Sequence, residues 1–252
     1  MINLLLFRKN PILFVSLWKA GCAETNCPMI KTGNIFIDFL SFLSIIFPLL
    51  PVAIILIKKN YGNESLIFLL IVCLLNFIKN FLLVIPSINT SSQNIISNVF
   101  SFLEFIFLLF IFKKRVPRKF TNTTNIFFSI FLSAIITIYL LRGVEQRLFV
   151  IEGFESAVVI LASLFSIISL NNDNDLNILE QPLFWIAMGS LFYFSIAILL
   201  QSINWPFNQS SNEDQSGYSL LLNAGSIAKY LLYLLAAFFY DQSNRENHNN
   251  FY

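Results

Sequence analysis

The sequence predicts an all-α, polytopic membrane protein: a bundle of seven transmembrane helices with its N-terminus outside and its C-terminus inside. Three observations carry that prediction. Seven predominantly apolar stretches follow residue 34, at 35–57, 65–86, 95–112, 124–141, 150–169, 183–204 and 218–240. Each is close to the roughly 20 helical residues needed to cross a hydrocarbon core about 30 Å thick. Composition agrees, with 56% of residues hydrophobic, 29 of them Phe, and only 12% charged, at a mean hydropathy of +0.71; soluble domains carry about 25% charged residues. The basic residues, finally, gather at the ends of the spans, where lipid headgroups and the positive-inside rule account for them. A chain of 252 residues then has no room for a separate soluble domain. It divides into an N-terminal segment (1–34), the membrane domain (35–240) and a polar C-terminal tail (241–252).

The first span holds Pro48 and Pro51, which predict a kink, and ends at Lys58-Lys59-Asn60-Tyr61-Gly62-Asn63. Pro86 and a Ser/Asn run to Asn94 close the second. Lys113, Lys114, Arg115, Arg118 and Lys119 follow the third, on the same side as Lys58 and Lys59, and mark that side as cytoplasmic. Arg142 and Arg147 follow the fourth span on the other side, and Asn171-Asn172-Asp173-Asn174-Asp175 closes the fifth. Short connections make sequential spans antiparallel neighbours. In spans six and seven, Gly189, Ser190, Ala224, Gly225 and Ser226 predict close helix approach.

In the N-terminal segment, Arg8 and Lys9 precede an apolar run, Pro11 to Trp18, that is too short to span. Lys19-Ala20-Gly21-Cys22 has the outline of a lipoprotein signal, but Lys19 departs from it. The preferred reading is an extension of the reading frame upstream of Met29, or a disordered tail. Cys22 and Cys27 can pair only outside the cytoplasm, whereas Cys73, inside span two, reads as a small core residue.

Charged side chains near the bilayer centre cost at least about 2.5–3.5 kcal/mol on insertion scales, so those inside the spans require a reason. Asp38 lies in the outer turn of span one. Asn76, Lys79 and Asn80 share one face in the outer half of span two, and Glu104 lies mid-span three. Glu152 and Glu155 share a face near the outer end of span five, Gln201 and Ser202 end span six, and Lys229 sits mid-span seven. The inner halves hold no charge. This distribution predicts a polar cavity open towards the outer side, with Asp38, Asn76, Lys79, Glu104, Glu155, Tyr193 and Lys229 as candidate ligand-binding residues. Four carboxylates against Lys79 and Lys229 cannot all be paired; the pairing expected is Glu104 with Lys229 at the midplane and Lys79 with a carboxylate nearer the surface. In the competing structural reading, the same residues are salt bridges and hydrogen bonds that fix which helices meet.

Three stretches carry a resemblance: Ser101-Phe102-Leu103-Glu104-Phe105-Ile106-Phe107-Leu108-Leu109 in span three, Pro182 to Ser195 in span six with its Phe-Trp-Ile, Gly and Tyr-Phe-Ser positions, and Asn223 through Ile227 to Lys229-Tyr230 in span seven. Over residues 35–240 the chain resembles uncharacterised seven-helix integral membrane proteins of Bacteroidetes. The resemblance implies no activity, but it implies that Glu104, Trp185, Tyr193 and Lys229 belong together, and proteins of this group often accompany signalling genes. A Lys in span seven with a carboxylate in span three is also similar, in part, to microbial rhodopsins. Span three lacks the Arg and Trp of that family, however, and Trp185 and Tyr193 are spaced differently from its retinal clamp.

Absences narrow the chemistry. The single histidine, His248, lies in the tail, which excludes a Ser-His dyad, a histidine-ligated zinc protease and a haem held within the bilayer. The glycines show no phosphate-cradling spacing, a net charge of +2 does not point to nucleic acid, and neither a cofactor nor a metal is expected. The expected partners are membrane lipids, a small-molecule ligand and a signalling protein. The first reading is therefore an inner-membrane, small-molecule-sensing or signalling-accessory module. Small-ligand or proton-coupled transport ranks second, although only the Pro48/Pro51 kink suggests broken helices. A lipid-acting enzyme using Glu104 and Glu155 ranks third, and retinal binding last.

Overall fold

A computed structural model describes residues 35–59, 64–85, 89–113, 149–171, 178–204 and 212–249, together with the single positions Ser129, Ser133 and Thr137. The N-terminal segment, with Cys22 and Cys27, and the rest of the predicted fourth span lie outside the described residues. Every element described is helical: α1 (Ile35–Ile46), α2 (Leu49–Ile57), α3 (Glu64–Val84), α4 (Thr90–Lys113), α5 (Phe149–Asn171), a 3-10 turn (Ile178–Glu180), α6 (Pro182–Asn204) and α7 (Asn212–Asn249). Six stretches are long and apolar enough to cross a membrane, the first made of α1 and α2 together.

The expected kink is the break between α1 and α2. Proline has no N–H, so Pro48 and Pro51 each leave a carbonyl of the preceding turn without its helical donor. Both carbonyls find another. Leu50 N–H donates to Phe47 O at 3.1 Å, and Asn80 Nδ2 of α3 donates to Ser44 O at 3.5 Å. Asn89 caps α4 by accepting the Ser92 N–H at 2.8 Å. α6 begins on Pro182, where a missing N–H costs nothing. α7 continues to Asn249, through most of what the sequence reads as a tail, because no Gly or Pro follows Gly225 to stop it.

The described helices close into a ring. The α1/α2 span packs on α7 and α3, α3 on α4, α4 on α5, α5 on α6, and α6 on α7. Side-chain contacts set the directions. Phe68 stacks on Phe110 at 5.8 Å, Gln201 bonds Glu152, and Trp185 stacks on Phe239 at 5.7 Å, so α3–α4, α5–α6 and α6–α7 are antiparallel. Asn223 meets Ser41 while Lys58 Nζ reaches Phe238 O at 3.1 Å, so α7 runs parallel to α1/α2. α4 and α5 are parallel as well, since the first two turns of α5 face the same cavity as Ser97 and Ser101 in the first half of α4.

The bundle therefore has two dissimilar halves. Its upper end is the one where α1, α4 and α5 begin and α3 and α6 finish. The lower half is filled by Leu66, Leu69, Phe105, Leu108, Ile186 and Ala237, with their buried neighbours. The polar groups buried there are neutral and internally satisfied: Ser163 and Ser166 donate to Val159 O and Ala162 O at 2.7 and 2.8 Å, and Ser190 bonds the Tyr233 hydroxyl at 2.8 Å. Large apolar side chains such as Ile57, Leu161 and Ile168 cover the outside, as expected of a surface facing acyl chains. Of the five small residues, Gly189 is the one that backbone contact makes essential to the α6–α7 approach, and Gly225 also faces a neighbouring helix. A Cβ on Gly189 would stand 3.0 Å from the Tyr233 ring and 3.1 Å from Lys229 O, and one on Gly225 would stand 3.2 Å from Ile196 Cδ1.

Candidate functional site

Lys229 Nζ of α7 donates to Glu104 Oε1 of α4 at 2.8 Å, with both side chains buried. These helices are not neighbours in the ring, so the pair crosses its interior at mid-height. The ammonium also sits 4.0 Å from the centre of the Tyr193 ring and 4.8 Å from that of Tyr230, and aromatic faces stabilise a desolvated cation. The Asn76 side chain adjoins Glu104 and donates Nδ2 to Val72 O at 3.0 Å. The pairing expected from the sequence is thus the one observed.

Above this pair lies a cavity of about 120 Å³, walled by Lys79 of α3, Ser97, Ser101 and Glu104 of α4, Glu152, Glu155 and Ser156 of α5, and Tyr193 and Gln201 of α6. Phe105, Phe194, Ala197 and Leu222 complete the wall. Two acidic side chains enter from the first two turns of α5. Gln201 Nε2 donates to Glu152 Oε2 at 3.2 Å. Glu155 is 5% exposed, and its Oε1 is buried with no hydrogen-bond partner among the described residues; Gln201 Oε1 is likewise buried without one among them. An unsatisfied buried polar atom costs about 1–3 kcal/mol, more when charged, which singles out this corner of the molecule.

Four of the seven candidate residues, Lys79, Glu104, Glu155 and Tyr193, line the cavity. Lys229 forms its floor through Glu104, and Asn76 backs that floor. Lys79 forms no direct ion pair among the described residues, although Glu104 lies within its electrostatic reach. Asp38, half-buried in the first turn of α1, is not part of the wall. Of the four residues grouped by the resemblance, Trp185 stands apart: its Nε1 donates to Leu179 O at 2.7 Å at the lower end. Eight residues of α6 separate it from Tyr193, about 12 Å along the helix axis, so the two cannot reach one site. Sequence reasoning passes over Ser97 and Ser101, although positions 97, 101 and 104 recur at i, i+4 and i+7 on one face.

A second polar cluster joins α1, α3 and α7 beside the cavity. Asn223 Nδ2 donates to Ser41 Oγ at 2.8 Å, Ser44 Oγ donates to Asn223 Oδ1 at 3.1 Å, and Asn80 reaches Ser44 O. It has no unsatisfied member and reads as helix glue. Asn223→Ala is expected to lower stability in detergent by about 0.6–1.7 kcal/mol, the range measured for interhelical hydrogen bonds in membranes. Thermal unfolding checks this, and an unchanged midpoint would show the cluster to be idle.

Fold and site together define a class: a polytopic helical membrane protein with a polar, partly unsatisfied cavity in one half of its bundle. No family model, curated protein or solved structure matches the chain.

Proposed function

We propose that this protein is a small-molecule-sensing, signalling-accessory module of the inner membrane, which binds its ligand in the upper cavity and transmits occupancy through helix packing. The observation that carries the reading is Glu155: a deeply buried carboxylate with a free oxygen, in a polar cavity whose floor, the Glu104–Lys229 pair, is already satisfied. A purely structural polar cluster has no reason to leave that oxygen unmet. Packing supplies the means of transmission, because α5 and α6 both contribute to the wall and α6 is in close contact with α7.

The proposed topology has seven spans, with the N-terminus outside and the cavity facing outward. It is supported by the direction of α4 and α5. α4 finishes at the lower end with Lys113 and α5 starts at the upper end, which is the arrangement that a fourth span at 124–141 calls for. Lys58, Lys59 and Lys113 all fall at the lower end, as a cytoplasmic face requires.

The test is a small-metabolite screen by thermal shift on purified protein, repeated on Ser101→Leu, which fills the cavity from α4. At least one compound is expected to stabilise the wild type in a saturable way, with Ser101→Leu folded but unresponsive. If no compound stabilises the wild type, or if Ser101→Leu responds equally, the cavity is not a ligand site.

A further inference from the structure

Resting on the reading of the cavity as a ligand site, we propose that it takes the primary ammonium group of a small molecule, held by Glu155 Oε1 and Gln201 Oε1. Both unsatisfied atoms are acceptors. The Gln201 carboxamide cannot be turned to offer a donor instead, because its nitrogen is committed to Glu152 Oε2 at 3.2 Å and a flip would set oxygen against carboxylate oxygen. Against the backbone of α5 the same group is confined, since Gln201 Oε1 lies 3.3 Å from where a Cβ on Gly153 would be. What these two oxygens lack is therefore an N–H or O–H donor. Around Glu155 the electrostatic neighbours are Glu152 and Glu104, both acidic, while the ammonium of Lys229 is spent on Glu104. Ser156 adds to the acceptor surface, because its hydroxyl proton is used on Glu152 O at 2.7 Å.

Size and lining narrow the class further. The cavity, at about 120 Å³, is well below the roughly 300–1,000 Å³ of pockets for drug-sized ligands. Hard metal cations require about six or more oxygen ligands around them, but much of this wall is carbon, from Phe105, Phe194, Ala197 and Leu222. A short alkylammonium fits both surfaces, with N–H donors on Glu155 and Gln201 and its stem along the apolar wall. The ammonium has two sources, a free amine or the amine of a zwitterion whose carboxylate meets Lys79 in the same cavity.

The experiment is thermal unfolding of the full-length protein in detergent, at fixed pH and ionic strength, with methylammonium, glycine, tetramethylammonium, sodium or potassium as the added species. Methylammonium or glycine is expected to raise the midpoint saturably by roughly 2–4 °C, a shift on the scale of simple ligand linkage in a chain of this size. Tetramethylammonium, which has no N–H, and the metal ions should leave it unchanged. Glu155→Gln should remain folded, with a midpoint no lower than wild type because a desolvated carboxylate is removed, and should lose the response; so should Gln201→Leu. A response to methylammonium assigns the free amine, and a response to glycine alone that is lost in Lys79→Met assigns the zwitterion. Equal stabilisation by sodium, potassium or tetramethylammonium, or a response that survives in Glu155→Gln, overturns the proposal. If neither N–H donor acts while another compound stabilises through the cavity, the ammonium assignment falls and the ligand site stands; if nothing stabilises, both fall.

Discussion

Glu104→Gln and Lys229→Met, made singly, are each expected to destabilise the protein by about 3–5 kcal/mol, and the double mutant to recover most of that loss, because removing one partner of a buried pair strands the other charge. Lys229 is only 1% exposed, and Glu104, 6% exposed, meets nothing but the cavity. The two losses should be unequal. After Lys229→Met, Glu104 still has the Lys79 ammonium within electrostatic reach and Asn76 beside it. After Glu104→Gln, the described surroundings of Lys229 offer Tyr193, Cys73 and aromatic faces but no second carboxylate. Glu104→Gln is therefore the worse variant, and thermal midpoints in one detergent give both the cycle and the order. Single mutants as stable as the wild type would mean that the pair is not what fixes α4 against α7.

Gly189→Ala is expected to cost about 1–3 kcal/mol through overpacking, despite a gain in helix propensity of about 1 kcal/mol. The decisive contact is with backbone: the new methyl would meet Lys229 O at 3.1 Å as well as the Tyr233 ring at 3.0 Å. Neither can yield without moving α7, which carries the Lys229 side chain, and Gly189→Leu should fail to fold. Gly225→Ala serves as the control. Its methyl meets the tip of the Ile196 side chain, which can rotate away, so that variant should be close to neutral. Comparable losses at the two glycines would indicate that intrinsic helix effects, rather than close approach, decide.

Much of this is legible in the sequence, because in a membrane each buried charge is expensive and so marks its own position. The Glu104–Lys229 pair follows from two mid-span charges of opposite sign, and the break between α1 and α2 from two prolines. The one-sided cavity follows from the depth of Lys79 and Glu155. What is not legible depends on rotation about the helix axis. Ser97 and Ser101 face the cavity while Asp38 does not, and span depth alone cannot separate these cases. The resemblance misplaces Trp185 because shared membership of a motif says nothing of depth: two positions of one helix can lie at opposite ends of it. Lys79 reads from the sequence as pairing nearer the surface, but it faces a cavity wide enough for its ammonium to bond to none of the described carboxylates directly.

Among the described residues, the lower half of the bundle is filled by packed side chains, and the polar groups buried there each have a partner of their own. No described part of the lower half offers a molecule in the cavity a way through. On the sensing role proposed above, occupancy would equilibrate with one aqueous compartment and be blind to the other, so the protein would measure a level on one side of the membrane rather than a gradient across it.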